Sequence, residues 1–334
     1  MSRYKATDYL KMIEQRRQDM FVPFDVVDAE SMGTAEKSFV RCKGSYLKNL
    51  YKIIRSNKDT HYITCVNDFI RCSSPKEFED QKVSVILKSA RYDDKLFSAS
   101  EVIGTKLAEL LGINTPYIDY VDDEKKTIFI VDYLSRNDSL IPFNELIPNV
   151  GEITRKHSIG LWINRLKRAT EKDQKLSSIS NETLLKLIHD LIKAYLIRIF
   201  ILKDNDLNGG NLAFIHSQDC SSVDLISFDY EFCFGNNFKV FEIDADTNSE
   251  FIERAIQDIL EYPYIDLSRV LRDVIEELKV SDALSEKIKE IVNEYPVNDN
   301  LKEYWGYQII SNLNNLRTCY LHQINHSHNQ NELI

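Results

Sequence analysis

Hydrophobic residues change their spacing partway along this chain. Before about residue 134 they come mainly in short runs, which predict strands at 21–27, 38–42, 83–88, 117–121 and 127–133. The stretch 61–66 also reads as a strand, and 122–126 is a charged turn. One helix interrupts this part, at 98–111. Val102, Ile103, Leu107, Leu110 and Leu111 fall on one side of it, and Gly112 stands just past its end. A charged helix is expected at 7–18, carrying Tyr9, Met12 and Ile13. After Asn137 the spacing turns helical. Asn181 is placed to cap a long helix whose Leu184, Leu187, Ile188, Leu191 and Ile192 point it into a core. Further helices are expected at 250–260, 267–278, 281–294 and 300–322, with Trp162 and Trp305 packed among them. Two short apolar runs, 212–215 and 225–228, interrupt the helical half as a strand pair. The expectation is therefore an α+β chain in two parts, strand-rich over 1–134 and mainly helical over 135–334, with a hinge near 133–138.

Composition narrows the range of activities. A chain of 334 residues is ample for two cores. With 43% hydrophobic and 28% charged residues it has the make-up of an ordinary globular protein. A net charge of -10 argues against a dedicated nucleic-acid surface. No apolar run reaches the length of a membrane span, and the first residues lack the apolar core of a signal peptide. The six cysteines form no Cys-x-x-Cys pair, which reads as free thiols in a reducing cytoplasm.

The densest chemistry lies in Asp206-Leu207-Asn208-Gly209-Gly210-Asn211, after an apolar run at 194–202 and before the strand pair. Asp229 stands just beyond the second strand, in Asp229-Tyr230-Glu231. Turns favour Asp, Asn and Gly for backbone reasons alone. A turn does not, however, require a second strand that ends in an acidic residue at this distance. Kinase-type phosphoryl transfer does: one carboxylate orients the acceptor hydroxyl, while an amide oxygen and a second carboxylate hold magnesium on the ATP phosphates. Upstream, Lys88 ends an apolar strand, where it can reach phosphates or simply extend into water. Glu101, near the start of the following helix, is placed to orient it.

These segments resemble the HipA-type serine/threonine kinases, a bacterial branch of the protein-kinase-like fold. The similarity is carried by Val85-Ile86-Leu87-Lys88, Ser100-Glu101-Val102-Ile103-Gly104, Leu107 to Ile113, Asp206 to Asn211 and Ile226-Ser227-Phe228-Asp229. It runs over roughly residues 30 to 235. The resemblance implies a two-lobed fold, with a strand-rich N-lobe and a mainly helical C-lobe, and ATP and Mg2+ as cofactors. It implies that Lys88 contacts phosphate with Glu101 as its partner, that Asp206 is catalytic, and that Asn211 and Asp229 hold the metal. A phosphate-covering loop around Gly33 and Thr34 and a hinge of Val131-Asp132-Tyr133-Leu134 at the adenine follow in the same way, with Asp132 and Leu134 as nucleotide contacts. The implied substrate is a protein Ser or Thr, and the implied partner is an antitoxin protein. The chain departs from the family at Leu207 and Asn208, where a His is frequent, and in the length between Gly33 and Lys88. Nothing before residue 20 resembles the family's N-terminal subdomain.

Two other readings stay open at this point. Phosphoinositide kinases share the Asp-x-x-x-x-Asn spacing, so a lipid or small-molecule acceptor is one. A nucleotide-holding pseudokinase is the other, although Lys88, Asp206, Asn211 and Asp229 are all present. The hydroxyls Ser31 and Ser38 flank Gly33 and are candidate autophosphorylation sites. His322, His326 and His328 have no acidic companion nearby in sequence and do not read as a metal site. The Lys/Arg-bearing stretch 155–175 reads as a solvated helix face.

Overall fold

Five short strands of the first half pair antiparallel in the computed structural model of the chain. That structure describes residues 22–23, 37–43, 82–89, 95–115, 118–120, 127–132, 140–142, 159–172, 179–204, 207, 209–216, 223–235, 245–293 and 299–331. The helix expected at 7–18, the strand at 61–66 and the turn at 122–126 lie outside the described residues. The chain divides into two units, 1–142 with 212–231 and 143–211 with 232–334.

In the first unit the strands are β1 (Val22–Pro23), β2 (Lys37–Lys43), β3 (Lys82–Ser89), β4 (Ile118–Tyr120) and β5 (Thr127–Asp132), in the spatial order β1-β2-β3-β5-β4. The apolar run Val83 to Leu87 is therefore the middle strand, hydrogen-bonded on both edges. Between β3 and β4 comes α1 (Lys95–Leu110), packed on β4 and β5. Its expected apolar side is the buried one: Val102, Ile103, Leu107 and Ala108 are inaccessible to solvent. Each of the larger of these contributes on the order of 1.5–3 kcal/mol by leaving water. The helix ends at Gly112, whose φ of 84° is a left-handed value that costs glycine nothing. There the Gly112 N–H donates to the Glu109 carbonyl and the Ile113 N–H to the Ala108 carbonyl, both at 2.9 Å.

The next residues tie α1 to a second sheet. This sheet contains β6 (Leu140–Pro142), β7 (Leu212–His216) and β8 (Val223–Ser227), all antiparallel, in the order β6-β7-β8. The Asn114 carbonyl accepts from the Ser227 N–H at 2.9 Å, and Asn114 Nδ2 donates to the Leu225 carbonyl at 3.2 Å. The helical spacing expected directly after Asn137 gives way here to β6. Its Leu140-Ile141-Pro142 is too short to declare a period, and Pro142 is tolerated because the strand is at a sheet edge. β8 is buried along its whole length.

The second unit is helical: α2 (Ile159–Lys172), α3 (Asn181–Leu196), α4 (Ala245–Leu260), α5 (Ser268–Glu277), α6 (Asp282–Asn293) and α7 (Asp299–Asn331). α3 packs against α2 and α5, and α7 packs against α4 and α6. The cap of α3 is Ser180, one residue before Asn181: its hydroxyl accepts from the Thr183 N–H at 3.1 Å. Both residues are good caps, and the difference is one residue of backbone geometry. Trp162 and Trp305 are buried as expected, and Trp305 stacks on Phe234 at 4.5 Å. Cys233 and Cys319 are free and buried. Among the described residues no helix is long and apolar enough to cross a membrane.

Candidate functional site

The apolar run 194–202 leaves α3 as a π-helical turn, Ile197–Ile201, whose Ile197, Phe200 and Ile201 are buried. One member of the run is not apolar. Arg198 is fully buried, and its Nε donates to Asp204 Oδ2 at 2.5 Å while its Nη2 meets the same oxygen. The wide turn also closes through backbone: the Leu202 N–H donates to the Ile197 carbonyl and the Asp204 N–H to the Arg198 carbonyl, both at 2.8 Å. Lys203 between them has φ 54°. Asn312 on α7 donates to the Ile201 carbonyl at 2.9 Å, and the Phe234 N–H donates to the Leu202 carbonyl at 2.7 Å.

Asp206 lies outside the described residues, as does Asn208. Leu207 is buried. Asn211 ends the short helical turn Gly209–Asn211 and is 5% exposed, so its amide is held inside the fold. The next residue, Leu212, opens β7 in register with Ser227, two residues before Asp229.

Asp229 has φ 63°, a left-handed backbone that Asp adopts more readily than most residues. In the first unit it meets two other acids. Glu101 from α1, Asp229 and Glu231 each offer a carboxylate oxygen, all within 4.8 Å of one another, with Glu101 and Glu231 buried and Asp229 half-buried. A divalent cation with bonds of about 2.0–2.6 Å to oxygen spans about 4–5 Å from one ligand to the opposite one. Three hard carboxylate donors suit magnesium or calcium better than a softer metal. Glu231 had no role in the sequence expectations. Asp229 and Glu231 stand two apart, but beyond the strand end and across a left-handed residue, so strand alternation does not mark them.

Of the remaining expected residues, Lys88 lies near the end of β3, in register with Lys37 on one side and Ile128 on the other. Asp132, the last residue of β5, pairs with Ser84 at the opposite end of the same strand pair. The side chains of both are outside the described set, as are Gly33, Thr34, Ser31, Tyr133 and Leu134 altogether. Ser38 is on β2 opposite Leu87. His322 does have an acidic companion, Glu253 at 3.2 Å, supplied by α4 across the helix pair and invisible in the linear spacing. From the basic stretch on α2, Arg168 is exposed and Lys167 lies over the Tyr264 ring at 5.7 Å.

Glu109, His189 and Glu277 are among the other ionisable groups that are perturbed. On α1, burial pushes the Glu109 carboxyl up to about 7 against the opposing charge of Lys106. Between α3 and α5, Lys193 Nζ meets Glu277 Oε2 at 2.6 Å and His189 Nε2 meets Glu277 Oε1 at 3.2 Å. The hydrogen bond that His189 makes to the Asp190 carboxylate raises its pKa against its partial burial, with the Glu277 charge adding to the rise. Burial raises Glu277, but the hydrogen bond and charge of Lys193 and the charge of His189 outweigh it, so the net direction is down.

No protein-family model matches the chain, and no curated protein matches it. Among solved structures it is similar to the Helicobacter pylori proinflammatory kinase CtkA at 12% identity and a TM-score of 0.48, over 73% of this chain and 92% of that one. It is also similar to HipA of the Shewanella oneidensis MR-1 toxin–antitoxin system, a structure with HipB and operator DNA. There the identity is 10% and the TM-score 0.42, over 93% of this chain and 72% of that one.

Proposed function

We propose that this chain is an ATP- and magnesium-dependent kinase of HipA type that transfers the γ-phosphate to a Ser or Thr of a protein. The observation that carries the reading is the hairpin β7–β8. Asn211 immediately precedes its first strand, and Asp229 follows its second within a cluster of three carboxylates. The Asp206-x-x-x-x-Asn211 motif leads into that hairpin. The two-lobed division at 1–134 and 135–334 belongs to the same proposal.

In this reading Asp206 accepts a hydrogen bond from the acceptor hydroxyl, orients its oxygen and takes up its proton as that oxygen bonds to the γ-phosphorus and the bond from phosphorus to the β,γ-bridging oxygen breaks, ADP being the leaving group. Asp229, Asn211 and Glu231 would hold the metal, with hard oxygen donors of the kind magnesium requires, and a magnesium held there would supply charge neutralisation at the ATP phosphates. Lys88 adds a cation at the phosphates and Glu101 orients it. Asp132 and Leu134 meet the adenine through backbone, with Gly33 and Thr34 over the phosphates. Lys88 and Asp132 stand four register positions apart on the central strand pair, roughly 13 Å, a span on the scale of an extended nucleotide. The resemblance further supports a neutralising antitoxin as protein partner.

The test is incubation of the purified protein with γ-labelled ATP and magnesium, alone, with a protein extract and with a lipid extract. Label is expected on protein, and it should be lost in Asp206→Asn with ATP binding largely kept. Label on lipid alone would replace the protein acceptor with a lipid one. Full transfer by Asp206→Asn would remove the kinase assignment.

A further inference from the structure

Arg198 is an expensive residue to place where it is. It occupies a run that is otherwise apolar, its side chain is wholly buried, and its carboxylate partner Asp204 is wholly buried too. Well-packed apolar residues generally serve a core as well as a buried ion pair does. Stability alone therefore gives little reason for this pair. Its surroundings give another. The pair joins the second residue of a π-helical turn to a residue six positions later, across Lys203 in its left-handed backbone. The same few residues are held from two more directions, by Asn312 at the Ile201 carbonyl and by the Phe234 N–H at the Leu202 carbonyl. π-helical turns and strained φ values both concentrate at functional sites. Asp204 is two residues before Asp206 in the chain.

We infer that Arg198 is a positioning residue for phosphoryl transfer: its pairing with Asp204 fixes the backbone from which the loop carrying Asp206 departs. This rests on the kinase reading above and deepens it. A single planar guanidinium donating twice to one carboxylate oxygen fixes direction as well as distance, which an apolar contact does not. A displacement of about 1 Å in a positioned group is enough to cost on the order of a hundredfold in rate. ATP contacts drawn from elsewhere in the chain do not depend on this pair.

The test is the double variant Arg198→Met/Asp204→Leu, which removes both charges of the pair together. Apparent kcat and KM for ATP come from initial labelling rates with γ-labelled ATP against one protein extract at fixed concentration. The expected result is wild-type melting, a KM within about twofold, and a kcat lower by on the order of tenfold to a hundredfold. Arg198→Lys, which keeps a cation but loses the fork, should recover part of that loss. Amide exchange over 202–211 should accelerate in the double variant while α3 and α7 keep their protection. A double variant with wild-type melting and wild-type kcat would overturn the inference, and so would kcat and KM that change together. If the double variant does not fold, Asn312→Ala, which releases the Ile201 carbonyl from the other side, carries the same expectation of lowered kcat at constant KM, and unchanged kcat there counts against it. Absence of transfer by the wild type would instead remove the kinase reading and the catalytic role with it. Accelerated exchange would then still establish the anchor as structural.

Discussion

The two units bury charge in opposite ways. In the helical unit, Arg198 and Asp204 neutralise each other completely out of water. In the other unit, Glu101, Asp229 and Glu231 bring three acids to one place, and Asp229 remains half-buried at its margin. A buried pair of opposite charges holds backbone. An acidic cluster concentrates negative charge, which a divalent cation can balance, and its geometry matters most when that ion arrives. Two further cases fall between them. Glu109 meets burial by holding a proton near neutrality, and the Lys193–Glu277–His189 network reaches water mainly through Glu277. Burial alone therefore does not mark a functional charge; what neutralises it does.

The largest effect should separate the first two. Asp204→Ala takes a carboxylate partner from the buried Arg198 charge and should cost about 3–5 kcal/mol in a denaturant titration, with or without magnesium. Asp229→Asn keeps a residue that tolerates the left-handed backbone, and without magnesium its stability should stay within about 1 kcal/mol of wild type. Magnesium is expected to raise the melting temperature of the wild type, and that rise should be absent in the variant. Equal losses in the two variants would break the comparison.

Glu109 comes next. Its carboxyl is raised to about 7 from 4.5, so the stability it leaves intact below 4.5 is lost as pH climbs through 7. Glu109→Gln should therefore stabilise the protein by on the order of 1–3 kcal/mol near pH 8 and make no difference near pH 4. Melting curves across that range read it directly.

The smallest effect belongs to the wet network. His189 is raised, so its contribution is complete below the ordinary histidine value and fades as pH rises through the folded one. Glu277 is lowered, so its contribution is present above the ordinary carboxylate value and is lost as pH falls through the folded one. The network is thus strongest in mildly acidic solution. His189→Gln should cost less than about 1 kcal/mol near pH 6 and nothing near pH 9. A loss that grows toward alkaline pH would mean that His189 acts through packing.

Much of this was legible in the sequence because it is periodic. The buried side of α1, the middle strand β3 and the long helices announce themselves through the spacing of Val102, Ile103 and Leu107, of Val83, Val85 and Leu87, and of Leu187, Ile188 and Leu191. The hairpin that carries Asp229 was equally plain. What stayed hidden lacks a period. β6 is three residues long. Glu253 reaches His322 only because two helices lie side by side. Glu231 joins Glu101 through a turn whose direction depends on one positive φ, which no spacing records. Arg198 reads as an interruption of an apolar run until Asp204 is seen to fold back onto it.

The π-helical turn at Ile197–Ile201 has the character of an insertion. Such a turn holds about one residue more than an α-helical turn, and a residue is worth about 100° of rotation around the helix axis. If a chain lacking one of these five residues resumed a regular helix there, its composition and length of apolar run would scarcely change. Everything after it would leave α3 in another direction, with Asp204 carried away from Arg198. A plain helical scaffold and this one would thus differ in length by one residue, and the difference would show as a change of heading where a side-chain comparison would find almost nothing.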